Sequence, residues 1–430
     1  MDRIEVSTAR SFKGELSPPP DKSISHRAVI FSSLAKGKSA IKNLLRAEDP
    51  ISTINAFRTL GVEITDTGDE IIVKGRGING LTEPDRIIDC GNSGTTMRLL
   101  SGVLSGNPFF SVLTGDDSLR QRPMLRVINP LKQMGAEIIA RGDDRYPPIA
   151  IRGKRLQAIQ YVMPVASAQV KSAILLAGLY AAGITEVIEP FQSRDHTERM
   201  LPAFGAEVKT ENLHISIRGG TELHGLEVTV PGDFSSAAFF IVGASLLRHS
   251  ELIVREVGIN PTRIGLLNVL KEMGAQIEIS NSRIVSGEPV ADIYCRGGSE
   301  LRAVQITREK IPLLIDEFPV LCVAATQATG VTIIRGAEEL RVKESDRIRT
   351  ISTELRKMGA KIEEYGDGLD ITGGRRLKGT VVESYKDHRI AMATAVAAMV
   401  AEGKTIINDM SSVNVSFPGF FEILERLTKT

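Results

Sequence analysis

The chain has 430 residues, 42% hydrophobic and 24% charged, which is too long for one ordinary core and too apolar for extended disorder; two globular domains are expected. Its 53 lysines and arginines balance 52 aspartates and glutamates, which excludes the broad basic field of a nucleic-acid binder and leaves any anion site to be local. Three scattered cysteines and six unpaired histidines indicate neither a disulfide framework nor a metal centre, so no metal and no cofactor is expected.

The opening MDRIEVSTAR has no apolar signal stretch, and the most apolar run, Ala391 to Ala401, falls far short of the roughly 20 residues of a membrane span. A cytoplasmic protein with no membrane partner is the expectation. DKSISHR then opens an apolar segment, AVIFSSLAKG, with Lys22, Ser23 and Arg27 at its start and Ser23 or Ser25 able to cap it. INAFRTLGVEI from Ile54 reads as an amphipathic helix, a glycine where a C-cap needs positive φ, and a strand. DCGNSGTTMR opens a second apolar helix with Asn92, Thr95 and Arg98, capped by Asn92 or Ser93, and Gly91 and Gly94 leave room for backbone amides to approach a ligand. The loop DDSLRQRPM, with Arg120 and Arg122, leads into a second amphipathic copy, INPLKQMGAEI. ASAQVKS opens the third apolar helix, where Ser167 caps beside Gln169 and Lys171, and QSRDHTERM carries Arg194 into MLPAFGAEV.

The pattern restarts at PGDFSSAAFF, where Asp233 or Ser235 can cap, and continues through LNVLKEMGAQI. LLIDEFP places Asp316 and Glu317 before a fifth apolar helix, capped by Asp316, and LRVKESDR places Lys343, Glu344, Asp346 and Arg347 before STELRKMGAKI. YKDHRIAMA puts Asp387, His388 and Arg389 at the sixth, with Asp387 as its cap, and FFEILERL from Phe420 ends the chain before a further Gly-Ala.

Six copies of one βα unit fall into two halves, three copies in each, and the chain is expected to cross between two domains near Pro18 to Pro20 and near Pro231, giving residues 1–19 with 231–430 and residues 20–230. The six upstream helices are apolar on nearly every side, which means burial all round. Parallel helices in one domain bring three N-termini to one face, and each N-terminus carries free N–H groups and partial positive charge. Two such domains facing across a cleft present an anion-binding surface before any side chain is counted. Arginines and lysines recur at equivalent points of the repeat, and arginine's planar fork suits carboxylate and phosphate. Among these cations stand Asp316, Glu344, Asp387 and His388. Asp387 reads foremost as a cap and counter-ion, whereas Asp316 follows apolar residues that would raise its basicity, which makes it the first choice of general base.

PPDKSISHRA, GNSGTTMR, RQRPM, SAQVKSA, SRDHTERM, LRVKESDR and YKDHRIAMA, in this order from residue 19 to residue 393, resemble the signatures of the 5-enolpyruvylshikimate-3-phosphate (EPSP) synthases, and SRDHTERM suggests the second class of that family. The resemblance implies an α/β (α+β) fold, a monomeric two-domain inside-out barrel of six βαβαββ repeats with the active site in the interdomain cleft. It implies transfer of enolpyruvyl from phosphoenolpyruvate to the 5-hydroxyl of shikimate 3-phosphate, giving EPSP and phosphate on the way to chorismate and the aromatic amino acids. Lys22, Ser23, Arg27, Ser167, Ala168, Gln169, Arg194, Asp316 and Lys343 would hold shikimate 3-phosphate. Lys22, Asn92, Gly94, Arg122, Gln169, Arg347 and Arg389 would hold phosphoenolpyruvate. Lys22, Asp316, Glu344 and His388 are the implied catalytic groups: the 5-hydroxyl proton goes to Asp316, and C3 of phosphoenolpyruvate gains a proton from Lys22 or Glu344, giving a tetrahedral intermediate that expels phosphate.

Three positions depart from the best-known form of the family: Ala168 where a second Ser occurs, Glu339 where an Asn occurs, and Val415 where a Lys reaches phosphoenolpyruvate. The family's glycine at Gly94 leaves room for glyphosate. The nearest alternative is the related enolpyruvyl transferase that acts on UDP-N-acetylglucosamine, but TGDDSLRQRP lacks the reactive cysteine of that enzyme's loop. An RNA-binding module on the same repeat is opposed by the absence of Trp and of an exposed aromatic stripe. A non-catalytic anion binder has no use for Asp316 and Glu344 among the cations.

Overall fold

The computed structural model describes residues 3–429, without the side chains of Asn414 and Val415, so the departure at Val415 lies outside the described residues. The chain forms two compact units. One comprises Pro20–Pro231 with the insert Ile284–Glu288, and the other the chain up to Pro19, Gly232–Arg283 and everything from Pro289 onward. The chain thus passes between units at Pro19/Pro20, at Pro231/Gly232 and on both sides of the insert. Each unit has its own apolar core.

In the 20–231 unit one sheet pattern occurs three times. Glu227–Thr229 runs parallel to Lys36–Lys42, which pairs antiparallel with Glu70–Arg76, which in turn pairs antiparallel with Glu63–Asp66. Ile88–Asp89, Phe110–Thr114, Tyr146–Arg152 and Glu137–Ala140 repeat that order, as do Gln160–Val162, Ile184–Ile188, His214–Arg218 and Val208–Glu211. The C-terminal unit repeats it with Gln305–Ile306, Val331–Ile334, Gly368–Thr372 and Lys361–Tyr365. Its other sheets use the chain's start: Lys13–Leu16 runs parallel to Glu251–Gly258, and Arg3–Ser7 pairs antiparallel with Lys404–Asn408. Period-two alternation buries one face of each sheet, as at Ile71 and Val73 in Glu70–Arg76.

Two kinds of helix accompany the sheets. Lys22–Leu34, Gly94–Ser105 and Ala168–Gly178 in one unit, and Phe234–Leu246, Phe318–Gln327 and His388–Val400 in the other, are buried nearly all round; twelve of the thirteen residues of His388–Val400 are buried. Glu48–Thr59, Leu125–Gln133, Gly265–Met273, Arg347–Lys357 and Phe420–Thr428 bury one face only. The third amphipathic segment is short. His196–Met200 passes into a 3₁₀ turn, Leu201–Phe204, where Pro202 has no N–H to continue the α ladder. Gly61, Gly135, Gly205, Gly274 and Gly359 end these segments at φ of 84°, 103°, 101°, 102° and 97°, the left-handed region that a Cβ opposes. The fold is therefore mixed α/β, and among the described residues no helix is long and apolar enough to cross a membrane.

Candidate functional site

The buried helices begin with side-chain caps at five of six places, although not always at the residue the sequence suggests. Asp21 caps the first, accepting from Ile24 N–H at 2.9 Å, while Ser25 instead accepts from Leu45 N–H. Ser93, Ser167, Asp233 and Asp387 cap the second, third, fourth and sixth. The fifth starts one residue later than expected. Glu317 occupies the N-cap position without a capping bond, Pro319 fills the first turn, and Asp316 lies outside the helix.

In the 20–231 unit, side chains tie the three first turns together. His26 Nδ1 lies 2.7 Å from Thr53 Oγ1, which is 2.7 Å from Thr96 Oγ1, joining the Lys22 and Gly94 helices through the Glu48–Thr59 helix. Arg27 donates to Ser172 Oγ at 2.8 Å, and Arg98 donates to Gln169 Oε1 at 2.5 Å, joining both to the Ala168 helix. The three N-termini therefore share one end of the unit, and their free N–H groups and dipoles add there. Lys22 stands on this end, its ammonium 3.1 Å from Asp49 Oδ2. Arg27 is buried, donates from Nε to Thr197 at 2.8 Å and reaches the Ser23 carbonyl at 3.0 Å. Burial lowers its pKa to about 10, against the pull of Glu198, Asp21 and Glu288, which still leaves it charged at neutral pH.

Arg122 is also buried and donates to Asn92 Oδ1 at 2.6 Å and to the Asn92 carbonyl at 3.2 Å; Asn92 in turn donates to Asp116 at 2.6 Å. Gln169 Nε2 donates to Thr95 Oγ1 at 2.9 Å. A Cβ on Gly94 would stand 3.1 Å from Arg98 Nη1 and 3.4 Å from Arg122 Nη1, so the glycine keeps two guanidinium groups close to the helix start. Ala168 is the first residue of its helix, beside the capping Ser167, and contributes backbone rather than a polar side chain. Arg194 lies in the loop between the Ile184–Ile188 strand and the His196–Met200 helix.

Two cations that the spacing groups with these do not join them. Arg120 pairs with Asp117 on an exposed surface. Lys171 is 1% exposed and turned away into the protein, between Glu189 and Glu198. The partners Asp49, Thr197, Asp116, Glu189 and Glu198 escape a reading by helix starts, because each approaches from a different element; only Glu198 and Thr197, inside SRDHTERM, carried a motif signal.

The C-terminal unit has the same convergence with opposite emphasis. Ser235 donates to Glu317, joining two helix starts, and Arg347 joins the fifth and sixth. Arg347, 1% exposed, donates to Asp387 at 2.9 Å, to Glu344 at 2.7 Å and to Asp316 at 3.2 Å. Burial works against its charge, but Asp387, Glu344 and Asp316 overcome it and hold the guanidinium well above its ordinary pKa. Asp316 and Glu344 remain about a quarter exposed, at 23% and 25%. Lys343 is half-buried, and desolvation lowers its pKa against the pull of Asp316, Glu339 and Glu344. His388 and Arg389 are buried on the first turn of the sixth helix; Arg389 Nε has no hydrogen-bond partner among the described residues.

No group of three or more His, Cys, Asp or Glu residues able to hold a metal occurs among the described residues. Cys90, Cys295 and Cys322 are buried free thiols whose pKa values burial raises, that of Cys295 to about 12, so none is poised as a thiolate.

Residues 6–424 match the family model of EPSP synthase (3-phosphoshikimate 1-carboxyvinyltransferase). The chain belongs to the EPSP synthase family. A family member of Thermodesulfovibrio yellowstonii, named 3-phosphoshikimate 1-carboxyvinyltransferase, is 56% identical over 431 residues, covering 100% of both chains. One of Citrifermentans bemidjiense with the same name is 52% identical over 429 residues, again covering 100% of both. Among solved structures, an EPSP synthase from Acinetobacter baumannii matches with a TM-score of 0.89 at 45% identity, covering 100% of this chain and 99% of that one. The convergent residues described above all lie within the matched span.

Proposed function

We propose that the chain is a 3-phosphoshikimate 1-carboxyvinyltransferase, the activity its relatives are named for. It transfers enolpyruvyl from phosphoenolpyruvate to the 5-hydroxyl of shikimate 3-phosphate, releasing phosphate, in the shikimate route to chorismate. One observation carries this reading: in the 20–231 unit motif residues converge on three helix N-termini, and in the other unit Arg347 of LRVKESDR meets Asp387 of YKDHRIAMA at the start of the sixth buried helix, beside Asp316. That arrangement suits substrates bearing phosphate and carboxylate groups.

In this reading Ser23, Arg27, Ser167, Ala168, Gln169, Arg194 and Lys343 hold shikimate 3-phosphate, with Lys22 and Asp316 at its reacting hydroxyl. Asn92, Gly94, Arg122, Gln169, Arg347 and Arg389 hold phosphoenolpyruvate. The 5-hydroxyl gives its proton to Asp316 as its oxygen attacks C2 of phosphoenolpyruvate, while C3 takes a proton from Lys22 or Glu344. The resulting ketal loses phosphate as C3 gives a proton back. Lys22 and Glu344 have opposite electrostatic settings as proton donors, since Lys22 stands beside one carboxylate, Asp49, and Glu344 beside the Arg347 guanidinium. His388 neighbours Arg389 on the same turn and serves the proton path. Arg347, ringed by Asp316, Glu344 and Asp387, exchanges carboxylate partners for substrate when phosphoenolpyruvate binds. The wider architecture in this reading is an inside-out barrel of six βαβαββ repeats, three in each domain, working as a cytoplasmic monomer.

Phosphate release from purified protein given both substrates and a metal chelator tests the proposal. Folded protein that releases none, or that releases phosphate with UDP-N-acetylglucosamine in place of shikimate 3-phosphate, would overturn it.

A further inference from the structure

The enclosed Lys171 takes no part in the chemistry above, yet its surroundings are specific. Its ammonium stands 2.8 Å from Glu189 Oε2 and 2.6 Å from Glu198 Oε1, and reaches the Ser193 carbonyl at 3.5 Å. The ammonium donates to Glu189 and to the Ser193 carbonyl and forms an ion pair with Glu198, so it holds the beginning, the middle and the end of one loop. Glu189 follows the Ile184–Ile188 strand, Glu198 lies in the His196–Met200 helix, and Arg194 sits between them. Glu189 also accepts from the Ser193 hydroxyl, which closes the loop on itself.

The far end of the clasp reaches a second arginine. Thr197, beside Glu198, accepts from Arg27 Nε at 2.8 Å and lies 2.7 Å from Ser172 Oγ, which accepts from Arg27 Nη2 at 2.8 Å. Ser172 is the neighbour of Lys171 on the Ala168–Gly178 helix. Two adjacent helix residues, Lys171 and Ser172, therefore set the loop that carries Arg194 and the orientation of Arg27.

Stability alone does not explain such a cluster. Three buried charges lose their hydration, and apolar residues of similar volume generally hold a core together as well or better. Burial raises the pKa of Glu198 in spite of Lys171, whereas Glu198 and Glu189 overcome burial to raise that of Lys171. What the cluster supplies is a single loop geometry, because a slipped loop would leave a charge buried without its counter-ion.

We propose that Lys171 is a positioning residue for shikimate 3-phosphate: its ammonium clasps the 189–198 loop so that Arg194 and, through Thr197, Arg27 are aimed at the substrate phosphate. This rests on the reading that Arg27 and Arg194 hold that phosphate. Lys171 makes no contact with substrate, so its effect is on shikimate 3-phosphate affinity and not on the chemical step.

The test is calorimetric titration of shikimate 3-phosphate without phosphoenolpyruvate, alongside steady-state kinetics. Lys171→Met combined with Glu198→Gln keeps the net charge of the cluster while removing the clasp. Its affinity for shikimate 3-phosphate should fall roughly 10- to 100-fold, by analogy with the loss seen when the outer partner of a metal-holding side chain is removed. The KM for phosphoenolpyruvate at saturating shikimate 3-phosphate and kcat should each stay within about threefold, since groups without shared partners act nearly independently. Unchanged affinity in the folded variant, or a parallel loss of all parameters, overturns the proposal. If that variant does not fold, Glu189→Gln leaves Lys171 paired with Glu198 and loosens one end only. A severalfold loss of shikimate 3-phosphate affinity supports the clasp, and wild-type affinity overturns it. Arg194→Ala separates the two levels: wild-type affinity there defeats the phosphate assignment itself, whereas a loss there with none in the Lys171 variant defeats only the clasp.

Discussion

Asp387→Ala is the sharpest test of the carboxylate ring around Arg347. The Asp387 side chain is fully buried and accepts from Arg347 Nε at 2.9 Å and Nη2 at 3.3 Å, from Ser345 Oγ at 3.0 Å and from Arg389 N–H at 2.9 Å. Its loss leaves a guanidinium 1% exposed with Asp316 and Glu344, both partly hydrated, as its remaining counter-ions. Breaking a buried ion pair costs roughly 3–5 kcal/mol, and those two carboxylates offset a part of it. The lost helix cap adds about 1 kcal/mol. The expected destabilisation is therefore about 3–4 kcal/mol for Asp387→Ala, and about 1 kcal/mol less for Asp387→Asn, which keeps shape and cap. Urea unfolding followed by far-UV circular dichroism is the assay, because the chain contains no Trp for fluorescence. The transition that moves reports the C-terminal unit. A loss below about 1 kcal/mol for Asp387→Ala, or a larger loss for Asn than for Ala, refutes the assignment of Asp387 as the buried counter-ion.

Other expectations concern the anion sites and pH. Arg122→Ala and Arg389→Ala should each lower kcat/KM about a hundredfold or more with normal folding, the usual effect of removing a contact to transition-state charge; near-wild-type activity removes that residue from the site. Gly94→Ala places a methyl 3.1 Å from Arg98 and 3.4 Å from Arg122, so the KM for phosphoenolpyruvate should rise severalfold and inhibition by glyphosate should weaken by more. Inhibition curves that superimpose on wild type would argue against crowding at that point. Burial lowers His26 from 6.5 to about 3, with Asp49 opposing and Lys22 and Arg27 assisting, so the folded protein keeps it neutral. Its contribution is complete above about pH 6.5 and is lost as pH falls toward 3, at about 1.4 kcal/mol per pH unit. His26→Asn should flatten the stability profile between about pH 6.5 and 4.5 by that slope, and an unaltered profile assigns the acid sensitivity to another group.

Local rules made much of this protein legible. Apolar periodicity located the six buried helices, and Gly61, Gly135, Gly205, Gly274 and Gly359 take left-handed φ because a helix must end there before a strand begins. Motif residues at helix starts pointed to the proposed anion sites, because free N–H groups and dipoles belong to a helix end whatever surrounds it. Which neighbour wins a contact is decided by distances across elements, and spacing along the chain does not encode them. Asp21, one residue ahead of the expected serines, caps the first helix because Ser25 is taken by Leu45 N–H. Arg120 and Arg122 look alike in sequence, but one meets Asp117 in solvent and the other is buried on Asn92. Lys171 and Lys22 both stand near helix starts, and only tertiary packing sends one to face Asp49 and the other inward to Glu189 and Glu198. The sequence by itself determined the family and the alternation of buried and one-faced helices, and it named the residues of the proposed anion sites. The tertiary structure decided which charges stay available and which are spent on holding the others in place, because a buried charge must find its counter-ion wherever the fold brings one.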